Sequence, residues 1–182
     1  EVDALFEGCS RVALAACGTA FHACMVASYM LREWCRFDLW ADIGSEFRYC
    51  PPPMDRETVV IAVSQSGETA DTLAPVRHAK KAGARILAVC NVATSSLVRE
   101  ADLTLLTHAG PEIGVASTKA YTTQLAILTA LVAHLSRRFE NDPSDLLREL
   151  FRIPTKARFA LKTHELARKV APEIAEAPSA LY

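Results

Sequence analysis

No window of this 182-residue sequence is rich enough in Lys or Arg to grip a nucleic acid, and the formal net charge of −1 gives no electrostatic footprint for one. An uninterrupted apolar run of about 20 residues is also missing, which excludes a membrane-spanning helix. No charged-then-apolar leader opens the chain. The six cysteines, Cys9, Cys17, Cys24, Cys35, Cys50 and Cys90, are irregularly spaced and contain no C-x-x-C. A zinc site needs paired ligands at short spacing, so none is expected. The five histidines, His22, His78, His108, His134 and His164, form no pair at ligand spacing either. The expectation is free cytosolic thiols in a cytoplasmic protein, with no metal and no cofactor. Both glycine fingerprints are missing. Without G-x-x-x-x-G-K-S/T there is no P-loop, and without G-x-G-x-x-G there is no dinucleotide turn.

What is present is an ordinary globular composition, 51% apolar and 23% charged. Arg11 to Ala16 is a short apolar run, and Thr58 to Val63 is β-branched and apolar throughout. Such runs suit strands buried on both faces. Phe37 to Ile43, Arg85 to Cys90 and Leu103 to Leu106 read as three more. Helical patterns lie between them. Phe21 to Cys35 carries Val26, Met30 and Trp34 at helical spacing. Gly44 to Tyr49 is short, and Thr69 to Ala82 stops at Gly83. Ser95-Ser96 caps a short helix, and Ser117-Thr118 opens a long apolar one reaching about Phe139. This alternation implies βαβ units and an α/β three-layer sandwich around a five-stranded parallel sheet. From Asp142 the chain is more charged, and Asp142-Pro143 reads as a cap with Pro in the first helical turn. The expected division is a domain over 1–141 and a helical connector over 142–182. The chain has no initiating Met, and Ala180-Leu181-Tyr182 resembles the start of another strand, so a piece of a longer polypeptide is expected.

The segment Ser64-Gln65-Ser66-Gly67-Glu68-Thr69 joins the clearest strand to a helix. Three hydroxyls fall within six residues, and Gly67 lets the backbone turn closely around a ligand. Unpaired N–H groups at the start of the helix, and the positive end of its dipole, favour an anion. The loop has no Lys or Arg, which suits a monoester phosphate held by neutral donors. Glu68 is read as a first-turn partner of the helix dipole, facing away from that anion. A hydroxyl-rich turn that merely caps a helix uses the same residue types. The strand before it and the α/β pattern around it favour the ligand reading.

These residues carry a resemblance. Ser64 to Thr72, SQSGETADT, resembles the signature of the sugar isomerase (SIS) domain. The similarity extends to Cys17-Gly18-Thr19, Ser45 to Tyr49, Cys90-Asn91-Val92 and Glu112 to Ala120. Together they resemble the first SIS half of the glutamine–fructose-6-phosphate aminotransferase family. The resemblance implies a flavodoxin-like SIS fold followed by a linker to a second half. It implies a substrate pair of fructose 6-phosphate and glucosamine 6-phosphate. Ser64, Gln65, Ser66 and Thr69 are then the phosphate holders, Thr19 lies near sugar and phosphate, and Val115 and Ser117 meet the sugar hydroxyls. Ala20 departs from the family pattern, which often has Ser there and gains a phosphate contact from it.

Converting a ketose to an aldose amine needs a base at the carbon-bound hydrogen and an activated amine. The resemblance places those Glu, His and Lys residues in the second half, so no catalytic residue is expected here. Within this sequence, Glu112 reads as a loop carboxylate, Lys119 as a surface or helix-packing residue, and Cys17 as an inert thiol after a buried strand. Glu46 and Arg48, two apart, do not share a helical face. His22 is the histidine nearest the cleft and reads as a helix-face residue. The long helix is apolar on more than one face (Leu125, Ala126, Ile127, Leu128, Leu131 and Val132), which implies burial against another half or a second copy, hence a homodimer. Two other functions fit the same signature: a non-catalytic sugar-phosphate sensor, and a stand-alone SIS isomerase with its own base.

Overall fold

The structure is a computed structural model that describes residues 1–114 and 117–179. It divides into two units, Glu1–Pro143 and Ser144–Tyr182.

Five strands form the first unit's sheet: β1 (Arg11–Ala16), β2 (Asp38–Ile43), β3 (Thr58–Ser64), β4 (Arg85–Cys90) and β5 (Leu103–Leu106). All neighbours are parallel, in the order β2-β1-β3-β4-β5. Every residue of β3 is buried, which is what its unbroken apolar run demands of the central strand. Each of its Val and Ile side chains contributes about 1.5–3 kcal/mol by leaving water.

The helices are α1 (Val2–Leu5), α2 (Thr19–Trp34), α3 (Gly44–Tyr49), α4 (Ala70–Lys81), α5 (Ser96–Glu100) and α6 (Lys119–Ser136). Alternate strand residues face opposite ways, so the sheet has two apolar faces. Ala13, Ala15, Val60, Ala62, Ile86 and Ala88 meet Phe47 of α3, Leu73, Val76 and Ala79 of α4, and Leu97 of α5. The other face is covered by α2 and α6, which pack on each other and on the sheet. The result is the three-layer α/β sandwich expected from the alternating pattern.

The strand order reverses between β1 and β3, because the chain moves outward to β2 and then returns. Ala16 pairs level with Val63, so β1 and β3 end side by side. The loops that follow them, 17–18 and 65–69, therefore open into the crevice where ligands bind in such sheets.

The second unit holds α7 (Ser144–Ala160), a 3-10 turn (Leu161–Thr163) and α8 (His164–Ile174); Leu146, Leu147, Glu149 and Leu150 are half-buried, and the described residues from Phe151 onward are exposed. Pro143, expected in the first turn of α7, stands just before it, within the latitude of helix ends. Pro154 and Pro172 lie inside α7 and α8.

Candidate functional site

The loop after β3 is built from within and clasped from outside. Ser64 is 4% exposed, and its Oγ accepts the Gly67 N–H at 2.9 Å. Ser66 Oγ accepts the Glu68 N–H at 3.2 Å. Each hydroxyl thus serves the loop as acceptor while keeping its own proton to donate. Gly67 has φ +68°, and a Cβ there would stand 2.2 Å from Ser95 Oγ and 2.8 Å from Cys90 Sγ. Only glycine fits both the backbone and the space. The Gly67 carbonyl accepts from Leu97 N at 3.0 Å, and the Glu68 carboxylate accepts from Ser96 N at 2.8 Å. That backbone bond holds the Glu68 carboxyl below its ordinary range. Glu68 therefore serves the start of α5 rather than the first turn of α4, which begins two residues later at Ala70.

A cavity of about 210 Å³ opens at this point. Thr19, Ser64, Gln65, Ser66, Thr69 and Ser117 all line it, alongside Cys17, Gly18 and Ala20. Of the site residues singled out from the sequence, Val115 lies outside the described ones, as do Ala180-Leu181-Tyr182, read as the start of another strand. Three helices start at its walls: α2 after Gly18, α4 after Thr69, and α6 just past Ser117. The first turns of α2 and α6 carry no acidic residue to neutralise their positive ends. The first turn of α4 carries Asp71, whose carboxylate is paired with Arg48 at 3.1 Å. Thr69 caps α4 without a side-chain bond to it, so its hydroxyl is uncommitted. Helix geometry leaves the first N–H groups of each helix without an intrahelical acceptor. Among the described residues, no Lys, Arg, His, Asp or Glu lines the cavity. Its field comes from converging helix ends, each worth roughly half a positive charge. A small anion is what such a field concentrates.

The far wall differs. Ser117 Oγ donates to Glu112 Oε2 at 2.7 Å, and this bond is the main reason the Glu112 carboxyl sits below its ordinary range. Glu112 stays ionised near neutral pH, so this wall favours neutral hydroxyls over a second anion. The spent proton of Ser117 leaves its lone pairs to accept from a ligand.

Gln124 also lines the cavity and was not singled out from the sequence. It is 2% exposed, and its Oε1 has no hydrogen-bond partner. Gln124 lies on a buried stripe of α6 with Ala120, Leu128, Leu131 and Leu135; the other buried polar residue of the helix, Ser136 at its end, is satisfied by the Ala133 carbonyl. An amide oxygen buried without a partner costs about 1–3 kcal/mol. The available signal was a lone polar residue at a stripe position.

His22 and Lys119 are not among the residues that line the cavity. His22 is exposed and stacks near Phe21, with ring centroids 6.2 Å apart. Lys119 is exposed and donates to the Pro111 carbonyl. Cys17 follows β1 as expected but is half-buried on the cavity wall rather than buried, and Thr72 Oγ1 donates to its Sγ at 3.8 Å. Cys24 and Cys35 are buried, and burial pushes both thiols up, Cys35 to about 12. Asn91 is a bracket: its Oδ1 accepts from Thr107 Oγ1 and Ala109 N, and its Nδ2 donates to Gly110 O at 2.8 Å. A larger hollow of about 370 Å³ lies beside β2, lined by Arg11, Asp38, Trp40 and Pro52 among others. It lies away from the carboxyl ends of β1 and β3, so chemistry rather than size selects the smaller cavity.

Comparison with known proteins agrees with this geometry. The SIS domain family matches residues 5–134. The isomerizing glutamine–fructose-6-phosphate aminotransferase of Zymomonas mobilis is 47% identical over 176 residues, covering 94% of this chain and 29% of that protein. The Pseudomonas aeruginosa enzyme of the same name is 46% identical over 183 residues, covering 98% of this chain and 30% of its own length. The chain thus spans under a third of these relatives. The C-terminal domain of the glucosamine-fructose-6-phosphate aminotransferase from Francisella tularensis superposes with a TM-score of 0.84 at 36% identity, over 96% of this chain and 51% of that one. The signature loop, the sheet order and the family match converge on one assignment: the chain belongs to the SIS domain family.

Proposed function

We propose that this chain is the phosphosugar-binding half of the isomerase domain of a glucosamine-6-phosphate-forming aminotransferase, and that it binds the sugar phosphate without turning it over alone. The observation that carries this reading is a cavity that, among the described residues, has no charged side chain in its lining and is set among three helix N-termini and six hydroxyl-bearing residues. The phosphate takes the wall formed by Ser64, Gln65, Ser66 and Thr69, with Thr19 at its edge. The sugar takes the wall of Ser117, where the ionised Glu112 repels a phosphate but leaves Ser117 free to accept from hydroxyls; the family resemblance adds Val115 as a proposed sugar contact. Ala20 gives no side-chain donor, so its place in the first turn of α2 offers backbone N–H alone.

Turnover needs a base and an amine-activating group. Among the described residues, none of the cavity's walls supplies a carboxylate, imidazole or ammonium. A second SIS half is the proposed source, with residues 142–182 as the connector toward it. The high identity to the aminotransferases supports fructose 6-phosphate and glucosamine 6-phosphate as the ligands. We also propose a cytoplasmic homodimer. Val26 and Tyr29 of α2 are exposed, and Leu125, Ala126 and Ile127 of α6 are only half-buried within one chain. Sedimentation as a monomer across micromolar concentrations counts against the dimer.

Titration calorimetry with fructose 6-phosphate and with unphosphorylated fructose tests the binding claim. The phosphorylated sugar should bind at least about tenfold more tightly, the loss of one charge-assisted bond being the minimum expected. Equal affinity overturns it. Glucosamine 6-phosphate produced from fructose 6-phosphate and ammonia by this chain alone overturns the claim of inactivity.

A further inference from the structure

The orphaned amide of Gln124 has no structural reason to be where it is. Its neighbours along the buried stripe of α6 are Ala120, Leu128, Leu131 and Leu135, and an apolar side chain would complete the row. Instead a glutamine, 2% exposed, lines the cavity, and its buried Oε1 has no partner. The same cavity is lined by Ala20, which presents only a methyl, and by Thr72, whose hydroxyl is already spent on Cys17 Sγ. None of these satisfies the carbonyl oxygen. A buried acceptor without a donor, on a residue that lines a binding cavity, is a group open to a ligand proton.

The charge pattern narrows what that ligand group is. A phosphate dianion has only acceptors, so it cannot satisfy Oε1. A sugar hydroxyl donates, and so does a water that such a hydroxyl holds in place. Resting on the phosphosugar reading above, we propose that Gln124 is a ligand-binding residue that reads the sugar: its Oε1 accepts a hydrogen bond from a sugar hydroxyl, or from the one water that hydroxyl fixes. It adds selectivity for the sugar beyond what the phosphate cradle confers. The residue then weakens the empty fold and strengthens the occupied one, a trade-off common at binding sites.

The test compares wild type with Gln124→Leu and the near-isosteric Gln124→Met. Melting temperature without ligand is measured together with calorimetric Kd for fructose 6-phosphate and for inorganic phosphate. Both variants should melt higher than wild type when empty, because the orphan is gone. Both should bind fructose 6-phosphate roughly three- to tenfold more weakly, the worth of one neutral hydrogen bond, while inorganic phosphate changes by less than about twofold. Unchanged Kd for the sugar phosphate in the variants overturns the inference and leaves the phosphosugar reading standing. A lowered melting temperature with unchanged Kd also overturns it, by making Gln124 structural. Failure of the wild type to bind fructose 6-phosphate overturns both.

Discussion

Replacing Gly67 with alanine puts a single methyl where the loop has no room. The backbone there has φ +68°, and a residue with a Cβ pays about 1–2 kcal/mol to adopt it. The methyl carbon would also lie 2.2 Å from Ser95 Oγ, 2.5 Å from Ser95 Cβ and 2.8 Å from Cys90 Sγ. Ser95 cannot yield freely, since it is buried and its hydroxyl caps α5 through Val98 N. Overpacking of this kind costs about 1–3 kcal/mol. The expected loss is about 3 kcal/mol, which for a domain of this size lowers the melting temperature by about 6–12 °C. Urea denaturation of Gly67→Ala, Ser95→Gly and the double variant separates the two causes. Ser95→Gly removes two of the three atoms struck and, as a cap exchange for glycine, costs only a few tenths of a kcal/mol. On that background Gly67→Ala should cost about 1–2 kcal/mol, leaving a coupling of more than ~1 kcal/mol. Strict additivity, or a loss under ~1 kcal/mol for Gly67→Ala alone, refutes the claim that this glycine clasps the loop to α5.

Three further outcomes follow from the same geometry. Ser66→Ala should weaken sugar-phosphate binding by about 1–3 kcal/mol, read by calorimetry, because one charge-assisted bond is lost. Thr69→Val should weaken binding similarly yet leave stability within about 0.5 kcal/mol, since its hydroxyl makes no bond to α4. The Glu68 carboxyl is held below its ordinary value of 4.5 by Ser96 N, so its bond is intact above that value and is lost as pH falls through the depressed one. Urea midpoints measured from about pH 7 to about pH 3 should therefore fall more steeply for wild type than for Glu68→Gln. Parallel curves contradict the contact.

Much of the fold is written in local pattern. The run from Thr58 to Val63 could only be a doubly buried strand, and the loop that follows it announces itself through Ser64, Ser66, Gly67 and Thr69. The start of α2 was less legible. The helix begins at Thr19 rather than Phe21, because its cap is Gly18 at φ 58°, which carries no side-chain signal. The partner of Glu68 lies 28 residues away, and no spacing rule reaches that far. The end of β1 at Ala16 was legible, but the half-exposure of Cys17 was not, because an apolar run does not show that the residue after it borders a cavity. Gln124 was hidden for a different reason: counting apolar positions along α6 registers the stripe and passes over a polar residue within it. Polar residues inside apolar stripes are where such a reading gains most.

The central claim is that helix ends and neutral hydroxyls, without a single cationic side chain, hold a sugar phosphate between β1 and β3. The most direct measurement is a crystal structure of the protein soaked with glucosamine 6-phosphate. The account predicts phosphate density against Ser64, Ser66 and Thr69, with the sugar ring directed toward Ser117. A phosphate seated elsewhere, or an empty cavity at saturating ligand, contradicts it.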